Sequence, residues 1–178
     1  PQTHTLPIAV NVSPKQFEHT DFVERLTDIL DEHGLAQPNL KLELTESILA
    51  RDIESVRETM GAVRRLGVEF ALDDFGTGYS SLAYLKRLPI SQLKIDRSFI
   101  NDTSVDQSDR DIVETIIALA KSLKMNTVAE GVETAAQRDL LHRLGCPVFQ
   151  GYFFDWPAPI DDFLRHYGLP ASGLLLDR

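Results

Sequence analysis

Polar residues recur at one point in a repeating pattern of this chain. Asn11 follows Ile8-Ala-Val, Glu43 sits between Leu42 and Leu44, and Asp73-Asp74 closes Phe70-Ala-Leu. Lys94 lies between Leu93 and Ile95 with Asp96 next, Glu130 follows Thr127-Val-Ala, and Gln150 falls within an apolar run over 148–152. Carboxylates and an amide oxygen are hard donors that suit Mg²⁺ or Mn²⁺, whereas zinc usually recruits histidine or cysteine. None of His4, His19, His33, His142 and His166 lies in one of these runs. The adjacent Asp73-Asp74 pair, with further acids converging on it, could hold two cations. Two such cations activate a water and stabilise the leaving oxygen of a phosphodiester.

The elements that must position these groups are short β-rich runs alternating with helical patterns. Strands are expected over 8–12, 41–44, 70–73, 93–95, 126–129 and 148–152. Phe22, Leu26, Ile29 and Leu30 mark one helix face ended by Gly34; Ile53, Val56, Met60, Val63 and Leu66 mark another, ended by Gly67. A shorter helix is expected over 80–88. A long one carries Ile112, Ile116, Leu119 and Leu123 after a polar, mobile loop at 101–108. Thr134-Ala-Ala-Gln137 is a capping box opening a helix that runs to Gly145, and a last helix covers 160–167.

Strict strand–helix alternation means parallel βαβ units, which a doubly wound sheet and a (β/α) barrel both satisfy. No G-x-G-x-x-G follows the first run, so a dinucleotide-binding version of the open sheet has no support. In a barrel, strand ends around the ring converge on the C-terminal face, where catalytic residues gather. Any single acid after a strand is more often a helix cap or a solvated loop residue. Six successive strand ends are another matter. Alternation also turns Asn11, Glu43 and Lys94 away from their apolar neighbours and into a barrel interior, where charges must balance. These residues alone point to a metal-dependent barrel enzyme acting on phosphate. Gly76-Thr-Gly78 reads equally as a phosphate-cradling loop and as a tight turn.

The bulk numbers set outer bounds. The 178 residues fit one domain, and 43% hydrophobic with 25% charged residues is ordinary for a globular protein. A net charge of −9 argues against broad nucleic-acid binding, so a DNA or RNA duplex is not an expected partner. The single cysteine, Cys146, fits a reducing cytoplasm, which the cytoplasmic portion of a membrane-anchored protein would share. Residues 1–168 form the expected domain and 169–178 a tail or linker.

The motif string itself resembles a known family. Asn11-Val-Ser13, Glu43-Leu-Thr-Glu46, Asp73-Asp-Phe-Gly-Thr-Gly-Tyr-Ser-Ser81, Lys94-Ile-Asp96, Ala129-Glu-Gly-Val-Glu133 and Gln150-Gly-Tyr152 are similar, in order, to the signatures of the EAL family of cyclic-di-GMP phosphodiesterases. The resemblance implies a TIM-like barrel that hydrolyses cyclic di-GMP to linear pGpG with Mg²⁺ or Mn²⁺ in bacterial signalling. It makes Asn11, Glu43, Asp73, Asp74 and Glu130 metal ligands or holders of metal-bound water. Glu130 would also be the general base and Lys94 would polarise the catalytic water. Glu46 would anchor the loop beginning at Asp74, and Asp96, Glu133 and Gln150 would lie toward the substrate. A homodimer and flanking sensor or GGDEF domains are further expectations.

The chain departs from the family pattern twice. A basic residue normally precedes the proline where this chain reads Phe154-Asp-Trp-Pro157. The E-A-L tripeptide is absent and belongs on a strand upstream of Asn11, so six expected strands stand against the eight of a closed barrel. The expectation is a TIM-like barrel lacking its first two strands and inactive by itself. A catalytically inactive EAL domain acting as a cyclic-di-GMP receptor or interaction module is the alternative, although every visible ligand position is filled.

Overall fold

The computed structural model describes residues 7–34, 39–78, 82–101 and 106–169. Six strands run in chain order: β1 (Ile8–Asn11), β2 (Leu40–Thr45), β3 (Glu69–Phe75), β4 (Gln92–Ile95), β5 (Asn126–Ala129) and β6 (Val148–Phe149). The helices are α1 (Pro14–Phe17), α2 (Phe22–Glu32), α3 (Ile53–Arg65), α4 (Leu82–Leu85), α5 (Arg97–Asn101), α6 (Gln107–Ser122), α7 (Ala135–Leu144) and α8 (Ile160–His166); a 3-10 turn covers Glu46–Ala50. All pairings are parallel and the sheet order is β1-β2-β3-β4-β5-β6. A doubly wound sheet reverses its strand order at a switch point. This sheet never reverses. It is an arc of a TIM-like (β/α) barrel, bounded among the described residues by β1 and β6.

Period-two alternation sorts the strands into two faces. Leu42, Leu44, Phe70, Leu72, Leu93 and Ile95 are buried in one cluster with Val56, Met60 and Val63 of α3 and Val113 and Ala120 of α6. The intervening positions carry Glu43, Asp73 and Lys94. Leu26 and Leu30 of α2 join the cluster, but Ile29, on the same expected face, is 49% exposed. Local signals fix the helix starts. Asp52 accepts from the amide of Glu54, Asp106 from that of Ser108, and Thr134 with Gln137 completes the capping box. Gly145 closes α7 at φ +98°, in the left-handed region where glycine carries no Cβ penalty.

Several expected boundaries move. β2 and β3 are longer than expected, because parallel pairing carries them past their apolar centres. β6 ends at Phe149 rather than 152: Gly151 adopts φ +155° and turns the chain off the sheet. Of the loop expected at 101–108, position 101 ends α5, 107 and 108 begin α6, and 102–105 lie outside the described residues. Of the helix expected over 80–88, 82–85 is helical, and 80 and 81 are not described; nor are 170–178 of the expected tail. Among the described residues, no helix is long and apolar enough to cross a membrane.

Candidate active site

The groups that end β2, β3, β4 and β5 meet at one point. Lys94 Nζ lies 2.6 Å from Glu43 Oε2, 2.7 Å from Glu130 Oε1 and 3.1 Å from Asp73 Oδ1. The lysine side chain is 4% exposed and the three carboxylates 10–16%. Four strands in register build this contact. Glu43 stands opposite Ala71, Lys94 opposite Val128, and the Glu130 amide donates to Ile95 O, which carries the chain off β5 at the same level. A lone charge buried this deeply would be costly, so one cation among three anions is what keeps the cluster together.

Asp73 and Asp74 need a special device to cooperate. Successive side chains on a regular strand point to opposite faces. Between Leu72 and Phe75, however, the pairing of β3 with β4 slips: Leu72 pairs with Leu93, and Phe75 with Ile95. Three steps on β3 match two on β4, the count of a β-bulge. Asp74 takes φ +53° within that irregularity, and the Asp73 carboxylate accepts the Asp74 amide at 3.0 Å. The outcome is that ligand oxygens from Asp73, Asp74 and Glu130 all lie within 4.8 Å of one another.

The protonation pattern follows from this crowding. Burial pushes Glu130 up to about 7, with Lys94 pulling it down and the neighbouring Asp73 charge pushing it up. Burial also opposes the Lys94 charge, but hydrogen bonds to Glu130 and Glu43 outweigh it and hold the ammonium above its ordinary range. Asp74 is raised by burial and by Asp73 and Asp96. Asp96 is lowered: burial works the other way, but hydrogen bonds from the Ser98 hydroxyl and amide and from Asp74 prevail. The contact between Asp74 and Asp96 thus moves the two acids in opposite directions. Ser98 was overlooked in the sequence, although an acid two residues before a serine is a recognisable turn signal.

Glu46 holds the loop that follows. Its Oε2 accepts the amides of Gly76 and Gly78, each at 3.1 Å, while its Oε1 is buried with no hydrogen-bond partner among the described residues. Those two amides are thus engaged by a carboxylate and not open to a phosphate. Thr77 donates through its amide and hydroxyl to Asp74 O, so Gly76-Thr-Gly78 is the tight turn and not the cradle.

Three expected site residues stand apart from the cluster. Asn11 pairs in register with Glu43 at the end of β1 but is exposed. Glu133 is exposed, and its amide donates to Gln137 Oε1. Gln150 is exposed and acts through its backbone, donating to Ala129 O and accepting from the Val132 amide. All three lie at the C-terminal rim. Among the described residues, none touches Lys94.

Hard oxygen donors from several strand ends, with an internal cation to balance them when empty, suit a divalent metal. Known proteins agree with that chemistry. The bifunctional diguanylate cyclase/cyclic di-GMP phosphodiesterase MucR of Pseudomonas aeruginosa is 47% identical over 157 residues, covering 88% of this chain and 23% of MucR. The chain thus spans less than a quarter of that relative. The structure of the PaMucR phosphodiesterase in complex with c-di-GMP superposes with a TM-score of 0.85 at 47% identity, over 89% of this chain and 64% of that one. A Klebsiella pneumoniae BlrP1 manganese/cy-diGMP complex superposes with a TM-score of 0.80 at 31% identity, over 87% and 40% of the two chains. The model of the EAL domain matches residues 1–157, and with the carboxylate–lysine cluster at its strand ends the chain belongs to the EAL domain family.

Proposed function

We propose that this chain supplies most of the active site of a protein that hydrolyses cyclic di-GMP to linear pGpG with bound metal ions. One observation carries the reading: Glu43, Asp73, Asp74 and Glu130 converge around Lys94 on the C-terminal face of an EAL-family barrel. Glu43, Asp73, Asp74 and Glu130, with Asn11 at the rim, would hold a pair of Mg²⁺ or Mn²⁺ ions. Bound there, such ions lower the pKa of a water and offset charge building on the phosphodiester.

The chain's own groups supply the rest. Glu130 takes the proton from the attacking water, and in the metal-free protein burial raises it to about 7. Lys94 stays protonated and fixes the Glu130 and Glu43 carboxylates in place. Water adds to phosphorus and the P–O3′ bond breaks; the 3′ oxygen leaves with a proton as a hydroxyl and the 5′ side keeps the phosphate. Asp96, Glu133 and Gln150 face this reaction from the rim as substrate contacts. Glu46 keeps the loop after Asp74 in register. We further propose a homodimer in a reducing cytoplasm, with sensor or GGDEF domains flanking residues 1–168 and 169–178 serving as a tail or linker.

The test is product analysis of the intact protein with cyclic di-GMP and Mg²⁺ or Mn²⁺. Conversion to pGpG is expected, and Glu130→Gln should lower turnover by about 100-fold or more while keeping ligand binding in Ca²⁺. Tight binding without conversion in the wild type would replace the enzyme with a receptor.

A further inference from the structure

Arg97 stands where two strands of the site leave the sheet together. β4 carries Lys94 and leads into Asp96, and β5 leads into Glu130. Ile95 pairs with Ala129, and the Glu130 amide donates to Ile95 O. One residue further on, Arg97 lies against Gly131. A Cβ at Gly131 would collide with Arg97 Cβ and lie 3.4 Å from its Cα, so only glycine lets the chain after Glu130 pass this close. Gly131 also takes φ +66°, which glycine adopts without penalty. From the other side, the Asp96 carboxylate accepts the Ser98 amide at 2.9 Å and the Ser98 hydroxyl, which fixes the backbone around Arg97. The root of the arginine is thus held next to Asp96 on its own chain and against the residue that follows Glu130.

The guanidinium itself is uncommitted. Arg97 is exposed, and among the described residues its guanidinium makes no ion pair or hydrogen bond. The acids beside it are engaged elsewhere: Asp96 by Ser98, and Glu130 by Lys94 at 2.7 Å. Lys94, the buried cation of the site, is in turn taken up by Glu43, Asp73 and Glu130. A guanidinium is a planar fork of donors that matches two oxygens of one phosphate. Cyclic di-GMP carries two phosphodiesters, and hydrolysis cuts one. The proposed metal ions serve the phosphodiester that is cut. The other needs a cation that the buried cluster cannot spare, in a chain whose net charge is −9.

We propose that Arg97 is a substrate-binding residue whose guanidinium pairs with the phosphodiester that is not cut. The inference rests on the function proposed above and adds how the second phosphate is held. A contact to a group that does not react is made alike in the ground state and the transition state, so its loss falls mainly on KM.

The experiment is binding of cyclic di-GMP to the intact protein in Ca²⁺ and its turnover in Mg²⁺ or Mn²⁺, with circular dichroism of each variant. Arg97→Ala keeps the Cβ that meets Gly131, so its spectrum should match the wild type. It should weaken binding by roughly 10- to 100-fold, with most of the loss of turnover in KM and not in kcat. Arg97→Lys should recover only part of the affinity, because an ammonium lacks the fork. Raising the ionic strength should weaken wild-type binding more steeply than that of Arg97→Ala. Affinity within about twofold of the wild type in a folded Arg97→Ala overturns the proposal. A loss confined to kcat overturns it too, because the guanidinium would then serve the phosphodiester that is cut. A wild type that binds no cyclic di-GMP removes the proposed function, and this inference with it.

Discussion

Replacing Lys94 by methionine keeps most of the side chain's apolar stem and removes the one cation that touches three buried carboxylates. The substitution breaks ion pairs of 2.6, 2.7 and 3.1 Å to Glu43, Glu130 and Asp73. Deleting one partner of a buried ionic set costs about 3–5 kcal/mol, because the remaining charges are stranded. The carboxylates can limit that loss by taking up protons. A folded state that binds more protons than the unfolded one loses stability as pH rises. The deficit of the variant should therefore be small near pH 5 and reach about 3–5 kcal/mol near pH 8, both in EDTA. Lys94 itself stays charged throughout this range. A divalent cation restores positive charge to the pocket, so Mg²⁺ should stabilise the variant more than the wild type. Urea unfolding at the two pH values, with EDTA or Mg²⁺, reads all of this. A variant within about 1 kcal/mol of wild type in EDTA at pH 8 would show that Lys94 does not hold the cluster together.

Two further outcomes follow from neighbouring groups. Glu130, raised to about 7 chiefly by burial, must lose its proton to bind a metal; cation binding should release close to one proton at pH 6 and weaken about tenfold per unit below 7. Calorimetry in two buffers of different ionisation enthalpy measures this, and a binding enthalpy independent of buffer at pH 6 would contradict it. In the metal-free protein the same group favours folding below about 4.5, a contribution that fades as pH rises through about 7. Glu46→Gln should speed hydrogen exchange at the Gly76 and Gly78 amides about tenfold or more, since bonds to a charged acceptor are worth about 1.5–3 kcal/mol. Unaltered protection there would mean that other contacts order the loop.

Much of the site was legible because alternation is a strong signal. An acid or lysine wedged between leucines or isoleucines, as at Glu43 and Lys94, can face only a charge-balanced interior, and both are buried together. Glu46 came from the motif string, and its two hydrogen bonds to the glycine amides fit that role. What sequence could not supply was backbone geometry. The slip between β3 and β4 that lets Asp73 and Asp74 act together depends on pairing with a strand twenty residues away. The short β6 depends on the approach of Gly151 to Val132, a tertiary contact with no local marker beyond the glycine itself. α5 was missed because a five-residue helix is too brief to show a period. Choosing between barrel and open sheet also needed the strand order, because alternation alone serves both.

Asp74 is held at φ +53°, a conformation that costs a residue with a Cβ about 1 kcal/mol and costs glycine almost nothing. A redesign that ranked substitutions by folding stability alone would therefore put glycine at position 74 and report an improved protein. That sequence would keep the barrel, the bulge and the Lys94 cluster while discarding a carboxylate of the proposed metal site. Position 74 is thus where stability and activity pull in opposite directions, and any consensus or thermostabilising library for this fold has to hold it fixed.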